Sequence, residues 1–237
     1  MHLKRLNASK HYSVPKKENK FITTANPGAH RKNECIPLNV IIRDILKLAE
    51  TTKEVKSILH DEKIKIDGTI KKEKKYNVGL MDVISIEEID KTYRVVTIEG
   101  RLRVVEIKKE DAKQKLGKII NKMMIKGKKC QITLHDGRNI ILNKPDYSVG
   151  DSLMISIPDQ KIKDHFKLDK GYTVIITSGK HTGNIGKITK VDIIKTPEDT
   201  KVTVKVEDKE VTTYKRNIFV IGKDKPEITI DKNKIIR

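Results

Sequence analysis

Residues 37–86 read PLNVIIRDILKLAETTKEVKSILHDEKIKIDGTIKKEKKYNVGLMDVISI, and a change of hydrophobic period inside this stretch decides the fold. Leu38, Ile41, Ile42, Ile45, Leu46 and Ala49 recur at the i, i+3, i+4, i+7 spacing of one helical face. Pro37 suits the first helical position, where its missing N–H would be unpaired anyway. Thr51-x-x-Glu54 reads as a capping box opening a second helix, with Val55, Ile58 and Leu59 on its apolar side. The period then falls to two. Ile64 and Ile66 alternate with Lys63 and Lys65, Asp67-Gly68 marks a tight turn, Thr69-Ile70 starts the return, and a strand over 81–86 closes the unit.

Arg43 and Lys47 project from the polar side of the first helix, Lys53 and Lys56 from the second, and Lys65 and Lys71 continue the line. Such a surface can serve as a phosphate-binding platform. The same residues fit an ordinary solvated face equally well, since a basic patch is a weak motif.

The whole chain leans the same way. Its 237 residues carry 51 Lys and Arg against 32 Asp and Glu, a formal charge of +19, which favours a polyanionic partner. No apolar run approaches the roughly 20 residues of a spanning helix, and the basic residues are spread over several elements, so a membrane is the poorer partner. A hydrophobic content of 36% supports small cores more readily than one large one. Aromatic residues make up 4% with no Trp, so stacking on bases gives way to backbone recognition of folded nucleic acid. Cys35 and Cys130 are isolated, giving neither a zinc ribbon nor a disulfide framework. The start of the chain has no hydrophobic signal segment, and a cytoplasmic location is expected.

Residues 1–36 show no period. Lys4, Arg5, Lys10, Lys16, Lys17, Lys20, Arg31 and Lys32 face only Glu18 and Glu34, a net +6. A segment so charged is expected not to pack on itself and to order as an extended arm on a polyanion. His11 and His30 have no partners at metal-ligand spacing and are read as RNA-contact or solvent residues.

Strands are predicted over 92–98 and 101–107 around Glu99-Gly100. A helix is predicted over 111–124, with Ala112, Leu116, Ile119, Ile120 and Met123 on one face despite Gly117. Further strands at 131–134 and 139–142 flank a hairpin turn, and 153–157 completes a small mostly-β barrel. Strands at 174–176, 202–206 and 218–221 make a small SH3-like barrel around a turn with glycines at 179, 183 and 186, which displays Lys180, His181 and Lys187. A nucleotide-binding P-loop is excluded there: its first glycine position holds His181, and Ile188 stands where Ser or Thr is required.

Lys4-Arg5, Lys10-His11-Tyr12, Glu34-Cys35-Ile36-Pro37-Leu38, Ile64 to Gly68, Gly79 to Ile86 and Asn217 to Lys223 together resemble one family along nearly the whole chain. It is the small-subunit ribosomal protein family "S four E" of archaea and eukaryotes. The resemblance implies a helix-pair (alpha-L) RNA-binding domain, a KOW motif at 179–188, and a structural role bound to small-subunit rRNA in the cytoplasmic ribosome, beside neighbouring small-subunit ribosomal proteins. Arg216 and Lys223 then join Lys180, His181 and Lys187 as candidate phosphate contacts in the last domain, beside Lys4, Arg5, Lys10, His11, His30 and Arg31 in the arm.

The expected architecture is α+β: arm 1–36, helix-pair domain 37–90, central mostly-β domain 91–168, KOW/SH3-like domain 169–222 and basic tail 223–237. No catalytic or metal site, cofactor or small-molecule substrate is expected. Two rival classes share these domains, RNA-modifying enzymes of the pseudouridine synthase type and KOW-containing transcription factors. The first needs a catalytic aspartate, but Asp136 and Asp151 sit in hairpin contexts that read as structural.

Overall fold

The computed structural model describes residues 2–143, 146–192, 200–207 and 209–228; the expected basic tail lies outside the described residues from 229 onward. At the start, Leu3–Lys4 (β1) pairs antiparallel with Phe21–Ile22 (β2). Ala8, Tyr12 and Ile22 are buried in the same core as the helices that follow. The arm therefore packs, contrary to expectation, because a few apolar side chains suffice when the surface they cover is already apolar.

Cys35–Pro37 (β3) leads into the helical stretch, so Pro37 ends a strand instead of starting a helix. The helix expected to reach Ala49 is a single α-turn, Leu38–Val40, running into a π-helical segment, Ile41–Ile45. Leu46 N–H bonds Ile41 O at 2.8 Å, the wider π pairing, and Lys47 ends the segment at a left-handed φ of 53°. Leu38, Val40, Ile41 and Ile42 are fully buried. Asn39 is buried with them, its amide donating to Thr23 Oγ1 at 2.8 Å, and arm and sheet cover what a one-sided helix would leave open. The second helix, Thr52–His60, carries the predicted capping box: Thr51 Oγ1 accepts the Glu54 N–H, and the Glu54 carboxylate accepts the Thr51 N–H.

Ile64–Ile66 (β4) and Thr69–Ile70 (β5) turn through Asp67 at φ 48° and Gly68 at φ 73°, the two left-handed residues a tight hairpin needs. Asn77–Gly79 (β6) pairs with β3. Val83–Ile86 (β7), Lys91–Ile98 (β8) and Arg101–Ile107 (β9) complete a sheet of order β5-β4-β7-β8-β9. The hairpin turning at Glu99-Gly100 thus joins the first sheet, not the central region to which sequence position assigns it. Strand β8 is buried on both faces, Tyr93 and Val95 toward the helices, Val96 and Ile98 toward a second small cluster with Val105.

The largest departure follows. In place of a helix over 111–124 stand a 3-10 turn, Asp111–Lys113, and a strand, Gln114–Ile125 (β10). The apparent helical stripe is divided: Leu116 enters one core, Ile119 another, and Ile120 and Met123 are each 51% exposed. Gly117 lies against Leu134, whose Cδ1 would stand 2.8 Å from an added Cβ. Glycine and paired isoleucines weaken the helix, and β10 pairs on both sides at once. Lys129–Leu134 (β11), Asn139–Asn143 (β12), Ser152–Ser156 (β13) and Ile162–Phe166 (β14) form its sheet, order β12-β11-β10-β13-β14. Thr173–Ile176 (β15), Ile185–Asp192 (β16), Lys201–Val206 (β17), Lys209–Tyr214 (β18) and Ile218–Gly222 (β19) form the last, order β18-β17-β16-β15-β19. The fold is α+β, with little helix and antiparallel sheets.

Candidate nucleic-acid interface

A buried ionic cluster sets the arrangement of the surface. Asp67 stands in the β4–β5 turn, Asp82 just before β7, Lys115 on β10, and Asp136 and Arg138 in the β11–β12 turn. Lys115 is fully buried, with Nζ 2.7 Å from Asp67 Oδ2, 2.5 Å from Asp82 Oδ1 and 2.9 Å from Asp136 Oδ2. Arg138 adds contacts of 2.7 Å to Asp67 and 3.3 Å to Asp136. From the arm, His30 Nε2 lies 2.9 Å from Asp82 Oδ2, which also accepts the Gly79 N–H at 2.8 Å.

Burial alone would raise the Asp82 carboxyl, but the Lys115 ammonium and His30 hold it well below the usual carboxylate range. Asp136 moves the same way, burial being outweighed by Lys115 and His135. Asp67 moves up, because burial and the Asp82 charge outweigh Lys115 and Arg138. Burial works against the Lys115 charge, yet Asp82, Asp67 and Asp136 keep it protonated well above the ordinary lysine value. The ammonium fills the space between the carboxylates that a bound cation would need. Among the described residues no group of three or more His, Cys, Asp or Glu can hold a metal ion, and no helix is long and apolar enough to cross a membrane.

The last sheet is tied on by Lys118, whose Nζ donates to the carbonyls of Lys215 (3.1 Å), Arg216 (2.8 Å) and Ile218 (2.6 Å). His135 meets Phe219 edge-on at 5.1 Å between ring centroids. Burial pushes the His135 imidazole down to about 4. Its Nδ1 accepts the Lys118 N–H, so its Nε2 carries the proton donated to Leu80 O. In the glycine turn, Gly183 (φ 91°) lies so close to the β8–β9 turn that an added Cβ would stand 2.6 Å from Glu99 N.

Two of the expected RNA-contact residues are internal. Arg5 is 1% exposed, pairs with Glu18 at 3.2 Å and donates from Nε to Pro15 O; it pins the arm. His30 is buried against Asp82. Sequence placed both in a solvated arm; His30's partner lies 52 residues on, and Arg5's partners lie within an arm whose folding back has no local signal. His11 is half-buried, its imidazole pushed down by burial, with Glu34 opposing. Lys4, Lys10 and Arg31 are exposed.

Around the π-helical segment and the second helix, Lys47, Lys53 and Lys56 are exposed and have no ion-pair partner among the described residues. Arg43 is half-buried, donating to Thr52 Oγ1 at 3.1 Å and Asp44 Oδ2 at 2.9 Å, which ties the two helical segments together. Lys65 is half-buried and paired with Glu87, and Lys71 lies 5.1 Å over the Tyr76 ring. In the last sheet Lys180 and Lys223 are exposed, His181 is half-buried, Lys187 pairs with Asp224 at 3.3 Å, and Arg216 covers the Tyr214 ring at 5.3 Å. Asp136 and Asp151 are structural, as read: Asp151 accepts from Ser148 N and Leu168 N and contacts His165 at 2.8 Å. The ionic cluster itself escaped sequence reading, since its members sit in five separate segments.

Family models described as "Ribosomal family S4e" and "RS4NT (NUC023) domain" match residues 89–162 and 1–33. The chain is 42% identical over 234 residues to the small ribosomal subunit protein eS4 of Archaeoglobus fulgidus, covering 97% of this chain and 98% of that one. The protein of the same name from Methanosphaera stadtmanae is 42% identical over 230 residues, covering 97% and 95%. Among solved structures, the crystal structure of the 30S ribosomal protein S4e from Thermoplasma acidophilum matches with a TM-score of 0.69 and 35% identity, over 81% of this chain and 96% of that one.

Proposed function

The chain belongs to the ribosomal protein S4e family, whose members are structural and not enzymes, and from that premise we propose that it binds and stabilises small-subunit rRNA through the phosphate backbone. The observation that carries this reading is full-length similarity to proteins named as small-subunit components. The surface agrees with it. A chain of charge +19 buries Arg5 and Lys115 in internal ion pairs yet leaves Lys47, Lys53, Lys56, Lys180 and Lys223 at the surface.

In this reading the helix pair is the alpha-L module and presents Lys47, Lys53 and Lys56 to phosphates, with Arg43 at its margin. The glycine turn is the KOW element and presents Lys180, with Lys187 and Arg216 beside it. Lys4, Lys10 and Arg31 extend the contact along the arm, and Lys65 and Lys71 border it. The protein works in the cytoplasmic ribosome beside neighbouring small-subunit proteins. Lysine-rich contacts of this kind position a protein on RNA by shape and charge without reading bases. No observation favours the pseudouridine-synthase or transcription-factor readings.

Sedimentation of host lysate through a sucrose gradient at low and moderate salt tests this. The protein is expected to travel with the small subunit under both conditions. A protein that stays at the top of both gradients would sink the reading.

A further inference from the structure

Between residues 112 and 143 the chain holds seven lysines, Arg138 and one carboxylate, Asp136. That carboxylate is buried with Lys115 and Arg138. The stretch folds into β10, β11 and β12, and the register fixes what their outward face shows. Met123, Gln131 and Ile141 form one row across the three strands; Ile125, Lys129 and Asn143 form the next; Asn121, Thr133 and Asn139 lie on the other side. Met123 and Ile141 are 51% and 56% exposed. A bulge between Ile119 and Asn121 bends the hairpin at its base, and its tip is Lys126-Gly127-Lys128. The side chains of Lys126, Lys128 and Lys129 have no partner among the described residues.

We infer that this face and its lysine tip are a further RNA-contact surface, taking double-stranded RNA across its shallow groove. It rests on the rRNA-binding reading above and adds a site that the predicted helix would have scattered. Each property of the face suits that ligand. The paired rows of this face carry no carboxylate among the described residues, so they neither repel nor compete with phosphates, and three adjacent ammonium groups neutralise them. The amides of Gln131, Asn121, Asn139 and Asn143 both donate and accept, as 2′-hydroxyls and base edges of an A-form groove require. Met123 and Ile141 pack on sugars between them. The hairpin also exposes Ile120 and Met124, but on this face the exposed apolar side chains among the described residues are Met123 and Ile141 alone, set beside those three ammonium groups, a balance that favours a polyanion over a protein partner.

The test is a salt titration of the full-length chain binding transcribed small-subunit rRNA, using the parent, the triple variant K126A/K128A/K129A, the pair M123S/I141S, and the helix-pair variant K53A/K56A. All the substituted side chains are at the surface, and equal urea midpoints confirm intact folds. The triple variant should flatten the slope of log affinity against log salt by about two to three. M123S/I141S should weaken binding several-fold at unchanged slope. A triple variant identical to the parent in affinity and slope, while K53A/K56A flattens it, overturns the inference and leaves the function standing. A parent that shows no salt-dependent binding overturns both.

Discussion

Lys115 Nζ stands 2.5 Å from Asp82 Oδ1, with the two side chains 0% and 4% exposed. Asp82 immediately precedes β7 of the first sheet and Lys115 lies in the central one, so this contact is an internal ion pair and a junction between sheets at once. His30 brings the arm to the same carboxylate, and three residues beyond Lys115 the ammonium of Lys118 holds the last sheet. A surface meant to match folded RNA at several places needs its parts fixed relative to one another, and these side chains fix them.

Replacing Lys115 by Met keeps most of the volume but strands Asp67, Asp82 and Asp136 beside one another. Removing one partner of a buried ion pair costs about 3–5 kcal/mol, because the other is left charged and dry. The urea midpoint should fall accordingly. A change below about 1 kcal/mol would mean the cluster is not a junction at all.

Acid should weaken the fold in two stages. His135 is held neutral, at about 4 against an ordinary 6.5, by burial, with Asp136 opposing and Lys115 and His30 assisting. The unfolded chain therefore binds more protons between those values, and stability falls as pH drops from about 6.5 to 4, by on the order of 3 kcal/mol. Asp82 and Asp136, both depressed, contribute stability that is present above the ordinary carboxylate range and lost below it. Asp67, raised, takes up its proton earlier in the folded state and partly offsets that loss. Urea midpoints measured from pH 8 to 4 should decline less steeply below 6.5 in His135→Gln. Parallel curves would show that another group governs the first stage.

The features legible in the sequence are those whose cause is local. Thr51 and Glu54 cap a helix three residues apart, and Asp67-Gly68 and Glu99-Gly100 make turns from their own backbone preferences. Strand β10 was not legible, because Leu116, Ile119 and Met123 happen to stand at helical spacing while their partners lie in three different environments. His30 reads as solvated for the same reason, its partner Asp82 lying 52 residues on; Arg5 reads so although Glu18 is only 13 residues away, because the arm has no period to show that the chain folds back on itself. The basic side chains were identified by type, but which of them stay at the surface depends on acidic neighbours such as Asp44 and Glu87, brought near by the fold.

Two left-handed glycines separate backbone strain from contact. Gly100 (φ 74°) has nothing within 4 Å of an added Cβ, whereas at Gly183 (φ 91°) the Cβ would press on Glu99 N and Ile98 C. Gly100→Ala should cost about 1 kcal/mol from backbone strain alone. Gly183→Ala should cost about 2 kcal/mol or more, since the last sheet must also move away from the β8–β9 turn. Equal shifts in thermal midpoint would remove the case for that contact.

The helix pair offers the sharpest separation of binding from stability. Lys53 and Lys56 are exposed one turn apart on the second helix, whereas Arg43 is spent on Thr52 and Asp44. K53E/K56E should leave the unfolding midpoint nearly unchanged and flatten the salt dependence of rRNA binding by about 1.4 to 1.8, the contribution of two phosphates. Arg43→Ala should instead lower the midpoint, by about 1–2 kcal/mol for the two hydrogen bonds it makes, and change the salt slope little. If the lysine pair alters stability but not the slope, the phosphates lie elsewhere. If Arg43→Ala flattens the slope with the midpoint intact, the guanidinium turns from Asp44 to RNA on binding, and the platform is wider than the free protein displays.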